Sequence, residues 1–173
     1  MLRWGGLMSN YMICFTKNGA ALGRKILKAA PQENSGSAAP AEACASVSSA
    51  SSAGWELTEC FGTVHESLAD WTRRTFQPGN NLLFIGAAGI AVRAIAPYVR
   101  EKQSDPAVVV MDEKANWCIP ILSGHLGGAN LLANKLAKMT GAQAAITTAT
   151  DVRGVWAVDS WAKQEGLTVA NPS

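Results

Sequence analysis

The chain has 173 residues, enough for one well-buried domain with at most a small appendage. Hydrophobic residues make up 48% and charged residues 16%, and 15 Lys and Arg against 13 Asp and Glu leave a net charge of +2. This balance excludes a wholly disordered chain and, with no long basic run, argues against a nucleic-acid partner.

No stretch approaches the roughly 20 apolar residues that span a bilayer, because the most apolar segment, 82–96, is interrupted by Arg93 and two glycines. The opening MLRWGGLMSNYM lacks the apolar run and cleavage site of a secretory signal, so residues 1–10 read as an N-terminal extension. Cys14, Cys44, Cys60 and Cys118 are dispersed, with no CxxC pair and no histidine at metal-ligand spacing. Reduced thiols, a cytoplasmic location, no membrane and no protein-bound metal are the expectations.

In chain order, the run 11–15 (YMICF) predicts a strand, and Leu22, Ile26 and Ala29 predict an amphipathic helix after it. Residues 32–54 are rich in Ala and Ser and nearly devoid of bulky side chains, which predicts a flexible insertion. A short strand is expected at 55–57, then a helix with Val64, Leu68 and Trp71 inward, ending before Pro78-Gly79. Residues 82–85 form a buried strand that enters the turn GAAG, and 90–95 a short helix closed near Pro97.

AVVVM at 107–111 is a fully buried β-branched strand, 112–116 a turn, and 117–122 another strand. Leu132, Leu136 and Met139 mark the next helix, and strands are expected at 143–147 and 168–170, flanking a helix with Val155, Val158 and Ala162 on one face. Strands alternating with helices imply an α/β, Rossmann-like sandwich with a largely parallel sheet. The core is placed at 11–151, with 152–173 as the start of a further region and its linker.

The sharpest chemical feature is SGHLGGAN at 123–130, at the end of a predicted strand and the opening of a helix. Gly124, Gly127 and Gly128 let the backbone approach a ligand, and the free N–H groups of a helix start favour a carboxylate or phosphate. Ser123 and His125 add a hydroxyl and an imidazole, so acid–base catalysis is chemically possible there. The plainer alternative is a tight turn in which His125 caps or packs.

Gly86 and Gly89 frame a second turn with Arg93 one helical turn on, but the spacing is neither GxGxxG nor a P-loop, and only Asp112 approximates the expected acidic residue. Because ligands gather at the carboxyl ends of parallel strands, both glycine turns, Asp112-Glu113-Lys114 and the segment with Thr147, Thr148 and Asp151 are expected on one rim. Asp112 to Lys114 taken alone read equally as a solvated turn, and Asp151 as a helix cap. His65 is expected to be structural or exposed, Trp71 to be core, and Trp117 and Trp156 to lie near the rim.

The runs GAAGIAVRAIAPYV, SDPAVVVMDEKANWCIPILSGHLGGANLLANKLA and TTATDVRGVWAVDSWAKQEGL together resemble the cobalt-precorrin-5A hydrolase family of anaerobic cobalamin biosynthesis, almost continuously over 85–167. FTKNGAALGRKI is similar to that family's first strand and helix, whereas the Ala/Ser-rich insertion departs from its pattern. The resemblance implies a hydrolase that opens the ring A δ-lactone of a cobalt corrinoid, with loss of a two-carbon unit as acetaldehyde. It implies no separate cofactor, cobalt being carried by the small-molecule substrate, and contact with other enzymes of the pathway.

Under this resemblance His125 is the expected general base, with Ser123 as the less favoured nucleophile. The amides of Gly127 and Gly128 would stabilise an oxyanion. Gly86, Gly89, Arg93, Asp112, Lys114, Gly124, Thr147, Thr148 and Asp151 are the candidate substrate contacts. Similar proteins continue into a carboxy-terminal domain that is expected to be absent from this chain. Two other readings stay open: a corrinoid-binding module that needs the missing domain or a partner for catalysis, and a generic nucleotide-binding domain. A His125 that shares a pocket with Asp112 or Asp151 would favour the enzyme. Oligomeric state is not legible in the sequence.

Overall fold

The computed structural model describes residues 9–30, 50–52, 54–62, 66–125 and 127–148. Strand β1 (Asn10–Cys14) leads into helix α1 (Lys17–Ala29), followed by β2 (Ala50–Ser52) and β3 (Trp55–Glu59). Helix α2 (Leu68–Thr75), β4 (Asn81–Ile85), α3 (Ala88–Ile95) and β5 (Ala107–Met111) follow, then β6 (Trp117–Leu122), α4 (Ala129–Thr140) and β7 (Gln143–Ala144). The sheet order is β2-β3-β1-β4-β5-β6-β7.

Strands β3, β1, β4 and β5 are mutually parallel. Their apolar runs alternate between two cores because successive side chains leave opposite faces of a strand. Met12, Leu83, Val109 and Met111 pack with Ile26 of α1 and Leu136 of α4 on one face. Ile13, Phe84, Val108 and Val110 pack with Trp71 of α2 and Ile95 of α3 on the other. Trp71 is fully buried, its ring meeting Phe84 edge-on at 5.2 Å, so it is a core residue as its place on the apolar face predicts.

The helices begin where their caps allow. Thr16 accepts the N–H of Gly19 at the start of α1, and Ser67 accepts that of Asp70 at the start of α2, each filling a donor that a helix start leaves open. Arg74 ties α2 to the sheet by pairing with Glu56 of β3 at 2.7 Å and Glu66 at 2.9 Å, and it lies over the Tyr11 ring.

The α/β class and the parallel core agree with the sequence, but the course of the chain differs in three places. β6 runs antiparallel to β5, and β7 is parallel to β6. The five residues between β5 and β6 close a hairpin, whereas a parallel return needs a crossover of a dozen or more. Residues 50–52, assigned from composition to the flexible insertion, add an antiparallel edge strand to β3. Asn10, placed in the extension, begins β1 and joins two neighbouring segments, its side chain donating to the Gly54 carbonyl and accepting from Asn81. The strand at 168–170 and the helix with Val155, Val158 and Ala162 lie outside the described residues.

Candidate functional site

The reversal at β6 splits the expected site. The carboxyl ends of β1, β4 and β5 form one rim, which holds Thr16, the 86–89 turn and the 112–116 turn. The carboxyl end of β6 points the other way, so the 123–128 loop lies at the opposite rim, across a strand length of roughly 17 Å. The expectation of a single rim for both glycine turns is therefore corrected, and His125 shares no pocket with Asp112.

On the first rim, β1 leads to α1 and β4 to α3 on opposite faces of the sheet, the arrangement that opens a crevice between adjacent strand ends. Gly86 lines it, and a β-carbon there would fall 2.9 Å from the Phe15 ring. The crevice is bridged by a 2.5 Å hydrogen bond from the Thr16 hydroxyl to the Glu113 carboxylate. Arg93 is exposed and donates back to the Gly89 carbonyl at 3.2 Å, and Lys114 is exposed.

Asp112 is committed to the hairpin. One carboxylate oxygen accepts the Lys114 N–H and the Asn116 side-chain N–H, both at 3.0 Å, and the other accepts the Trp117 N–H at 2.7 Å. Trp117 starts β6 at this rim and is 48% exposed, so its ring is available at the surface.

The second rim is built by the backbone. Ser123 is buried and adopts φ +56°, a left-handed conformation that a non-glycine residue rarely takes. Its hydroxyl donates to the Asp105 carbonyl at 3.0 Å, and both Asp105 carboxylate oxygens accept the Arg100 N–H. Gly127 has no room for a side chain, since a β-carbon would lie 2.2 Å from the Ser123 Cβ. Gly128 precedes α4 at φ +87°.

Two of the helix-start N–H groups that the sequence offers to an anion are already used: Ala129 donates to the Ser123 carbonyl at 3.2 Å and Asn130 to the Gly124 carbonyl at 2.9 Å. The amides of Gly127 and Gly128 have no acceptor among the described residues. His125 is half-buried on this loop.

The segment after β7 returns to the same rim. Ala145 donates to the Cys118 carbonyl at 2.9 Å, and the Thr148 hydroxyl accepts from the Asn130 side chain at 2.7 Å. The structure thus brings together Ser123, Gly124, His125, Gly127, Gly128 and Thr148, with Thr147 exposed beside them. It places Gly86, Gly89, Arg93, Asp112 and Lys114 apart from them. Asp151, His65 and Trp156 lie outside the described residues. Asp105 and Asn130 were missed, and the only signal for Asn130 was a polar residue on the otherwise apolar stripe of Leu132, Ala133 and Leu136.

Burial raises the Cys14 and Cys118 thiols to about 12, with Glu59 adding to the effect at Cys14. Burial also raises Cys60. These are poor nucleophiles near neutral pH. Among the described residues, no three His, Cys, Asp or Glu side chains are placed to share a metal ion, and no helix is long and apolar enough to cross a membrane.

Residues 70–151 match the family described as Cobalamin synthesis G N-terminal. The chain is 54% identical over 96 residues to the cobalt-precorrin-5A hydrolase of Salmonella typhimurium, covering 56% of this chain and 27% of that protein. It is 44% identical over 91 residues to the enzyme of the same name from Priestia megaterium, covering 53% and 24%. This chain thus spans about a quarter of the length of these curated relatives. Among solved structures it resembles a cobalamin biosynthesis protein G homolog from Sulfolobus solfataricus, with a TM-score of 0.54 and 19% identity over 80% of this chain and 36% of that one, a likeness of fold.

Proposed function

We propose, from the premise that residues 70–151 belong to the Cobalamin synthesis G N-terminal family, that this chain carries the hydrolytic site of a cobalt-precorrin-5A hydrolase. The observation that supports it most is the 123–128 loop, which lies inside the matched stretch. Ser123 in a left-handed conformation is a costly feature, and backbone strain of this kind gathers at sites where geometry serves chemistry; Gly127 packs too closely on Ser123 to carry a side chain.

In this reading the δ-lactone of ring A meets the loop. His125 takes a proton from a water molecule as its oxygen attacks the lactone carbonyl. The oxyanion is met by the amides of Gly127 and Gly128, and collapse of the intermediate breaks the ring acyl–oxygen bond as His125 returns its proton to the leaving oxygen, giving an alcohol and a carboxylic acid that ionises. The freed alcohol then gives up its O–H proton as its C=O forms, its C–C bond to the macrocycle breaks with the electron pair and a proton retained on the macrocycle, and the two-carbon unit leaves as acetaldehyde. Ser123 serves the loop and not as nucleophile, because its hydroxyl is given to the Asp105 carbonyl.

Thr147 and Thr148 flank the substrate. Arg93 and Lys114, at the far rim, do not touch the reacting ring. Cobalt enters with the substrate, and the product passes to later enzymes of the pathway. A cytoplasmic location belongs to the same proposal, supported by the free thiols of Cys14, Cys60 and Cys118.

The test is to incubate the purified chain with cobalt-precorrin-5A, following acetaldehyde release and the absorbance of the macrocycle. Release above background is expected, falling by about a hundredfold or more in His125→Ala with binding retained. Unchanged release in that variant removes His125 from the chemistry. Binding without release by the parent chain points to a corrinoid-binding module, and neither from a folded sample withdraws the reading.

A further inference from the structure

We propose that Asn130 is the positioning residue of this site, locking the His125 loop and the segment after β7 into one unit; its effect on rate rests on the hydrolase reading above. Asn130 is the second residue of α4 and only 8% exposed. Its backbone N–H donates to the Gly124 carbonyl at 2.9 Å, and its side-chain N–H donates to the Thr148 hydroxyl at 2.7 Å. The same carboxamide lies against Gly124, where a β-carbon would come within 2.8 Å of the Asn130 Oδ1.

A buried amide is costly to keep unless its hydrogen bonds are made, and the positions that continue this face of α4 are Ala133 and Ala137. A polar side chain there therefore has a task. The loop is fixed at its start by the Ser123–Asp105 bond, and the post-β7 segment by the Ala145–Cys118 bond. Among the described residues Asn130 bonds to both, two residues from the Gly128 amide on one side and at Thr148 on the other. It sets the distance between the base and the wall of the site without touching the reacting atoms.

The experiment uses the full chain with Asn130→Ala, Asn130→Asp, Thr148→Val and Thr148→Ser, reading kcat and KM on cobalt-precorrin-5A and amide hydrogen exchange. Asn130→Ala is expected to lower kcat by about tenfold to a hundredfold while KM stays near that of the parent. Thr148→Val should reproduce part of the loss and Thr148→Ser restore it, and the double Asn130→Ala/Thr148→Val variant should be no worse than Asn130→Ala, as for two partners in one contact.

Exchange should quicken in both 123–128 and 145–148 and not in β1 or β4. Parent-like kcat in Asn130→Ala, with the parent active, overturns the proposal. If the parent does not turn over, the hydrolase reading falls alone, and exchange decides: quickening of both segments upholds the positioning role, and quickening of neither overturns it. Should Asn130→Ala fail to fold, Asn130→Asp and Thr148→Val, which preserve volume, give the same two readouts.

Discussion

At Gly127 the loop leaves no alternative to glycine, because a methyl group would meet Ser123 at both its Cβ and its carbonyl oxygen. Gly127→Ala is expected to cost more than about 1 kcal/mol in urea unfolding and to abolish lactone opening, since the loop must open to admit the methyl. The cysteines give a pH signature of their own. Cys14 and Cys118 move from an ordinary 9.0 to about 12 on folding, so the folded chain holds their protons longer than the unfolded one. Their contribution to stability is complete below pH 9 and is lost as pH rises towards 12. At pH 8 both thiols should resist iodoacetamide in the native protein and react once it is unfolded, which peptide mass analysis will read directly. The 123–128 loop was legible as a glycine turn because three glycines sit within five residues of one another. Asp105 and Asn130 were not, since what defines them is a partner 18 residues away in each case.

The β5–β6 hairpin is the element that decides the layout. Asp112 closes it with three accepted hydrogen bonds, and it was a candidate for binding substrate. Asp112→Ala is expected to lower stability by about 1 to 3 kcal/mol, seen as an earlier urea midpoint, with no loss of lactone opening at temperatures where the variant is folded. Strands β1, β4 and β5 and helices α1 and α4 were readable because their apolar periods are long and regular. The direction of β6 was not read from its own residues. It resides in the length of the connection before it, and a five-residue turn permits only a return in the opposite sense. Strand β2 escaped for another reason: three residues of Ala and Ser carry no burial signal, and the edge is held by main-chain pairing to β3.

Across the whole molecule, the parallel strands β1, β4 and β5 are covered on both faces, and their amides should be the last to exchange with solvent. A native-state exchange experiment is expected to rank them above β2 and β7, which form the two edges; equal protection across the sheet would contradict the order found here. The fold class was legible in the alternation of elements. The two glycine turns were legible as turns but not as lying at two separate rims, because chain order says nothing of which end of the sheet a reversed strand will reach.

The reversal also shapes the electric field. Helices α1, α2 and α3 each follow an upward strand and so begin at the same end of the sheet, whereas α4 follows a downward one and begins where they finish. Each helix start carries a partial positive charge of about half a unit and each finish an equal negative one. The start of α4 thus lies at the rim where α1, α2 and α3 finish; Lys28 stands in the last turn of α1, whereas Arg73 and Arg74 of α2 are paired with Asp70, Glu56 and Glu66. Opposed helix ends at one rim cancel at a distance and survive only at contact, so capture of an anion at this loop would answer to its shape more than to long-range steering.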